Sequence, residues 1–269
     1  MDAVIDKERA IRGLVKTAVQ AYAAGFEKRH LQEVDDPNGT INMKVHNVFI
    51  AVLGSDIQYY TALVRSLDSS LGTMLEKLAI ALAGLSFRVS REVEGYLTRE
   101  QTSEIARLLE AYKRREQKPA VADYLGLAKL GGDGERLVRH ESDYYLYDEA
   151  DGRHYLIELK IGGDLDNKKA RSEKEALLEQ YAILCNTLGA ADNVSLRFAT
   201  AYNRFGEGAP WRQERVRQYF ADDELMIGKA FWDFVCKSAD GYRVVLDEYS
   251  AHAGLIVAAL DNVKGAYLR

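Results

Sequence analysis

The sequence predicts an α/β fold in which helices surround a small mixed sheet, with an N-terminal helical region before it. Three observations predict it. Two β-rich runs, Glu141 to Tyr147 and His154 to Lys160, flank Asp148-Glu149-Ala150-Asp151-Gly152, whose acidic residues and glycine are hairpin turn chemistry. A helical pattern from Leu165 to Leu188 follows the hairpin, with Leu177, Leu178, Tyr181, Ala182, Leu184 and Cys185 as its buried face. Val194 to Ala201 then reads as another strand, so helix, hairpin, helix and strand alternate along the chain.

Whole-chain properties bound the function. At 269 residues the chain can bury a substantial core, and with only three prolines no region reads as long disorder. The longest apolar run, Leu78 to Leu85, is far short of a membrane span, so no membrane partner is expected. The start, Met1 to Glu8, is too acidic for a secretory signal, and a cytoplasmic protein is expected. Cys185 and Cys236 have no metal-ligand spacing, which fits a reducing compartment and argues against a zinc site. A net charge of −5 does not advertise a nucleic-acid binder, but a local basic surface is what decides.

Taken in order, Asp6 to about Gln32 reads as an amphipathic helix through Ile11, Leu14, Val15, Ala18, Tyr22 and Phe26, ended by Asp35-Asp36-Pro37-Asn38-Gly39. From Ile41 to Leu53 apolar residues alternate with Asn42, Lys44, His46 and Asn47, polar groups able to face DNA or simply water. Tyr59 to Leu67 continues as helix, and a new one is expected at Ser69 or Ser70 as N-cap, with Leu71, Leu75, Leu78 and Leu82 on one face and Glu76 beside it. Phe87 to about Lys118 reads as charged helix, clearest in Ile105, Leu108, Leu109 and Tyr112. The glycines of Leu130 to Gly134 loosen the chain before the hairpin and lack the Lys-Ser/Thr of a phosphate-binding loop. Phe231, Trp232 and Phe234 are expected in the core, and Val244 to Val257 in a last helix closing the domain.

The chemistry is concentrated at the hairpin. On the second strand Glu158 and Lys160 share one face while Ile157 and Leu159 point to the other, and Asp143 on the first strand reaches the same place if the register allows. Two carboxylates and an ammonium suit phosphodiester hydrolysis: hard oxygens hold Mg²⁺, and the lysine orients water or steadies the charge on the phosphoryl oxygens. The other reading of the same residues is a solvated strand face with an ion pair. Beside the hairpin, Lys168, Lys169, Arg171 and Lys174 make the next helix start basic, fit for phosphates or for solvent. The stretch 202–217 interleaves Arg204, Arg212, Arg215 and Arg217 with aromatics, and its arginines together with Asn203 have the donors that read base edges.

Asp, some fifteen residues, then Glu-x-Lys resembles the active site of the PD-(D/E)XK nucleases. Arg65 to Glu76, Ile157-Glu158-Leu159-Lys160, Leu177 to Ala182, Tyr202-Asn203-Arg204-Phe205-Gly206 and Gly228 to Phe234, in that order, resemble the TdeIII-type family of type II restriction endonucleases over about residues 40 to 240. The resemblance implies a PD-(D/E)XK restriction-endonuclease-like core over residues 69–269, with residues 1–68 serving dimerisation or DNA contact. It implies a homodimer that uses Mg²⁺ to cut double-stranded DNA at GGNCC or a longer site containing it, and a cognate methyltransferase in the host. It assigns Asp143 and Glu158 to the metal and Lys160 to catalysis, with Glu76 and Glu141 as secondary carboxylates. Ser142 stands where the superfamily name has proline, and Gly162-Gly163-Asp164 follows the lysine where Lys-Pro is expected. Another PD-(D/E)XK nuclease and a non-catalytic DNA-binding protein are the alternatives.

Overall fold

A computed structural model describes residues 2–131, 136–189 and 192–268, and within these the side chains of residues 2–5, 45, 136 and 139–143 lie outside the description. In order come α1 (Asp2–Gln32), a 3-10 turn (Asn42–His46), α2 (Val48–Ala51), α3 (Ser55–Ala83), β1 (Arg88–Leu97), α4 (Arg99–Arg114), α5 (Ala122–Leu125), β2 (Arg136–Asp148), β3 (Arg153–Leu159), α6 (Asn167–Leu188), β4 (Val194–Thr200), α7 (Glu214–Arg217), β5 (Leu225–Ile227), α8 (Lys229–Val235) and α9 (Gly241–Tyr267). No helix among the described residues is long and apolar enough to cross a membrane.

Two compact units result, Met1–Ala81 with Arg243–Arg269, and Leu82–Tyr242. In the first, Phe26 of α1, Tyr59, Ala62 and Leu63 of α3 and Val263 of α9 share a buried cluster. Arg12 reaches Glu248 at 3.3 Å and Asn262 donates to Glu27 at 2.8 Å, tying α1 to α9. The sequence sets its boundary at residue 68 and assigns the last helix to the nuclease domain; these contacts return α9 to the helical unit, and α3 runs on past residue 68 to Ala83. No new helix starts at Ser69 or Ser70. Ser70 donates back to the Ser66 carbonyl at 2.7 Å and Thr73 to that of Ser69 at 3.3 Å, so the hydroxyls expected to cap an end sit inside a continuous helix.

The second unit is built on one five-stranded sheet in the order β1-β2-β3-β4-β5. β1, β2 and β3 are antiparallel neighbours; β3, β4 and β5 run parallel, as the expected mixed sheet requires. The hairpin is as read: Tyr144 faces Ile157 and Asp148 faces Arg153. The turn's Gly152 takes φ +69°, a conformation that favours glycine. β1 corrects the reading of residues 87–118 as helix throughout. It is an edge strand with charge on both faces, and its two buried side chains, Val93 and Leu97, are four apart, which imitates a helix. Gly95 lies between them, and a Cβ there would meet the Ile183 side chain of α6 at 2.7 Å. Close approach of a helix to the strand therefore demands glycine. The helical part begins at Thr98, whose hydroxyl accepts from the Gln101 amide at 3.1 Å in a capping box. α4, α6 and the sheet enclose the main core, with Leu108, Tyr112, Leu156, Leu178, Tyr181, Leu196 and Phe198 fully buried.

Candidate active site

The site begins where β3 ends. Leu156, Ile157 and Leu159 are fully buried, and Glu158 between them is only 8% exposed. A plain solvated strand face does not describe this residue. β3 pairs with β4 through Glu158 opposite Phe198 and Leu159 opposite Ala199, and the ladder goes one step further as the Lys160 amide donates to the Ala199 carbonyl at 3.0 Å. Lys160 is thus held by its backbone at the sheet's end. Its half-buried ammonium forms an ion pair with Glu158 and a second with Glu173 of α6 at 3.2 Å.

Glu173 is the site residue that sequence reading missed. A signal existed: Ala170 and Leu177, three residues before and four after it, are both buried, so Glu173 borders the sheet-facing stripe of α6. The next residue corrects the reading of a basic helix start. Lys174 is fully buried in an ion pair with the equally buried Glu224, its Nζ 4.8 Å from the Tyr124 ring centroid and 5.0 Å from that of Phe220. Burial pulls the Lys174 ammonium below the usual lysine range, and Glu224 opposes that pull. Arg171 pairs with Glu110 at 3.7 Å. Lys168 and Lys169 alone of that group are exposed, on the first turn of α6, where Asp166 caps the helix by accepting from the Lys169 amide at 2.8 Å.

Asp143 and Glu141 belong to β2, but their side chains lie outside the described residues. The backbone around them is described. Asp143 and Glu158 each adjoin the Tyr144–Ile157 pair, and the register between β1 and β2 shifts between Ser90 and Glu92, so that Arg91 alone spans the 142–144 stretch. Glu76 is half-buried on α3 in the helical unit.

The two loops leaving β3 and β4 are fastened together. Gly163 has φ +64°, and a Cβ on it would lie 2.7 Å from the Thr200 methyl and 3.0 Å from the Trp211 ring; one on Gly162 would meet the Tyr202 hydroxyl at 2.6 Å. Gly163 is therefore a packing requirement, while at Gly162 the atom met is the outer end of the exposed Tyr202 side chain. Asp164 accepts from Arg204 at 2.8 Å and from Gln213 at 2.9 Å, and the Arg204 guanidinium holds its carboxyl below the usual range. Asn203, expected to read bases, is buried instead: its amide donates to the Ala209 carbonyl at 2.7 Å and its oxygen accepts from the Phe205 amide at 3.0 Å. A side chain satisfied on both ends shapes its loop. Arg217 bonds Trp211 and Asp222. Arg212 and Arg215 are exposed, and neither forms an ion pair among the described residues.

For a hard divalent cation Glu158 offers carboxylate oxygens, the donor type such ions take. Among the described residues no group of three or more His, Cys, Asp or Glu converges, so the donor set there is of the right kind and smaller than a full shell.

The chain also has a match among known families. The model of the family described as Type II restriction endonuclease, HinfI, matches residues 9–252. No curated protein and no solved structure matches.

Proposed function

Because the chain belongs to the HinfI family of type II restriction endonucleases, and is thus a site-specific deoxyribonuclease, we propose that it uses Mg²⁺ to cut both strands of duplex DNA at a short palindrome, from the end of β3. The observation that carries this placement is the nine-tenths-buried Glu158 in contact with a half-buried Lys160. Asp143 and Glu158 hold the metal. Bound there, Mg²⁺ supplies Lewis acidity to the phosphate and lowers the pKa of its water. Lys160, kept in place by Glu158, Glu173 and the backbone of β4, orients the attacking water or steadies the phosphoryl charge. Glu141 is a secondary carboxylate in this scheme.

Arg212 and Arg215 contact bases or phosphates from the loop after β4, Lys168 and Lys169 position the backbone from α6, and Arg204 and Asn203 serve by fixing the loop's shape. Two copies related by a two-fold axis match a palindrome, each cutting one strand, and a methyltransferase of the same specificity protects the host. The sequence likeness to TdeIII-type enzymes names another family than the one matched. GGNCC therefore rests on those short motifs alone, and it is the first site to look for.

The test is to digest a large DNA of known sequence with Mg²⁺ and sequence the ends. Discrete fragments ending at one repeated short site support the proposal, and GGNCC at those ends supports the finer reading. Smearing refutes sequence specificity. An Asp143→Ala protein that cuts as fast as the parent refutes the site.

A further inference from the structure

The helical unit carries a second basic feature, independent of the residues above. A cleft of about 650 Å³ lies among α1, the 3-10 turn and α3, and it receives Arg29, Lys44 and Arg65, one from each element, with hydroxyls from Thr40 and Ser69. No carboxylate is among its described lining residues; Glu33, next to the turn, has its carboxylate accepting from the Thr40 amide at 2.8 Å. Arg29 is braced by its bond to Ser66 at 2.9 Å and by the Phe26 ring, 5.6 Å from its guanidinium carbon. Lys44 and Arg65 form no ion pair among the described residues.

Three cations lining one cleft with no carboxylate among its described lining residues repel one another, in a chain whose net charge is −5. Such a cluster with hydroxyl donors complements phosphate oxygens. The described lining has no aromatic ring on which a base would stack, so the backbone is the part of a nucleic acid it fits. We infer that this cleft seats backbone phosphates of the duplex substrate, a positioning contact that reads no sequence. The inference rests on the DNA-cleaving reading given above.

The test is a Lys44→Gln/Arg65→Gln protein, which alters neither the β3 site nor the arginine loop. Its binding to a labelled duplex is followed by fluorescence anisotropy in EDTA, where nothing is cut, across a salt series. Each phosphate contact removed lowers the slope of log K against log salt by about 0.9, so the double variant loses about 1.8 in slope, equally on duplexes with and without the recognition site. Arg65→Gln alone, at an exposed side chain, loses about half of that and serves if the double variant melts below the parent. A parent that binds with a slope the variants keep overturns the cleft and leaves the enzyme reading standing. A parent that binds no duplex overturns the cleft, and the digestion with Mg²⁺ decides the enzyme reading separately.

Discussion

Replacing Lys174 by methionine is the most exposing test of how the second unit is held together. The side chain is fully buried with Glu224, whose carboxylate otherwise accepts from the Ala221 amide at 2.7 Å. Methionine keeps most of the volume between the Tyr124 and Phe220 rings and removes the charge. A buried carboxylate is then left without its cation, which costs about 3–5 kcal/mol. In a domain of this size each kcal/mol moves the melting point by roughly 2–4 °C, so the expected fall is about 10 °C. Removing both charges, as Lys174→Met/Glu224→Gln, should recover most of that loss, because no charge is left buried and the glutamine oxygen still accepts from the Ala221 amide. Thermal melts followed by circular dichroism measure both. A single variant as stable as the parent, or a double variant as weak as the single, refutes the ion-pair account.

Four more outcomes are expected. Glu158→Gln should lower cutting about a hundredfold or more while duplex binding persists, read by single-turnover cleavage beside anisotropy; unchanged cutting would remove Glu158 from the site. Glu173→Gln should cost about 10–100-fold in the parent and almost nothing further in a Lys160→Met background, since it acts through that lysine; an additive loss would assign it a separate role. Lys237→Met should cost about 1 kcal/mol at neutral pH, as the partly exposed Lys237 bonds both oxygens of buried Asp148 at 2.7 and 2.8 Å. Lys237 holds the Asp148 carboxyl below its ordinary 3.8, so the bond's contribution is present above that value and lost as pH falls through the lower folded one; acid-unfolding curves of parent and variant should converge there. Gly163→Ala should cost about 2 kcal/mol or more, from positive φ and collision with Thr200 and Trp211, and a protein melting like its parent would contradict that packing.

How much of this was legible follows from which forces set each feature. The hairpin and the helix after it were readable because turn chemistry and apolar spacing are local. β1 was not, because an edge strand with two buried residues four apart carries a helix's spacing. The break expected at Ser69 failed for a related reason: serine is a good cap and also tolerable inside a helix when it bonds back to the preceding turn. At the site, the Glu158–Lys160 contact followed from alternation on one strand. The Glu173 contact did not, because it depends on where α6 lands after the turn at Ile161 to Asp166. The fate of Lys174 was equally hidden. Its partner is 50 residues away in the chain, and only tertiary packing turns a surface-type lysine into a core one.

The arrangement of the two loops bears on how recognition and cutting communicate. The Lys160 amide bonds Ala199, the Ala201 amide bonds Ile161, and Asp164 holds both Arg204 and Gln213, so the chain after β3 and the chain after β4 are joined at successive points. Ala201 is further fixed by the Trp232 indole, which donates to its carbonyl at 2.7 Å. Between these points Trp211 is buried, while its neighbour Arg212 and, four residues on, Arg215 stay in solvent. Arginines presented from such a frame cannot shift far without disturbing the residues just after Lys160. On the proposed reading, in which Arg212 or Arg215 contacts bases and Lys160 serves the cut, a pull on this loop would act on the lysine's own turn, a physical route by which correct sequence would favour cutting over binding alone.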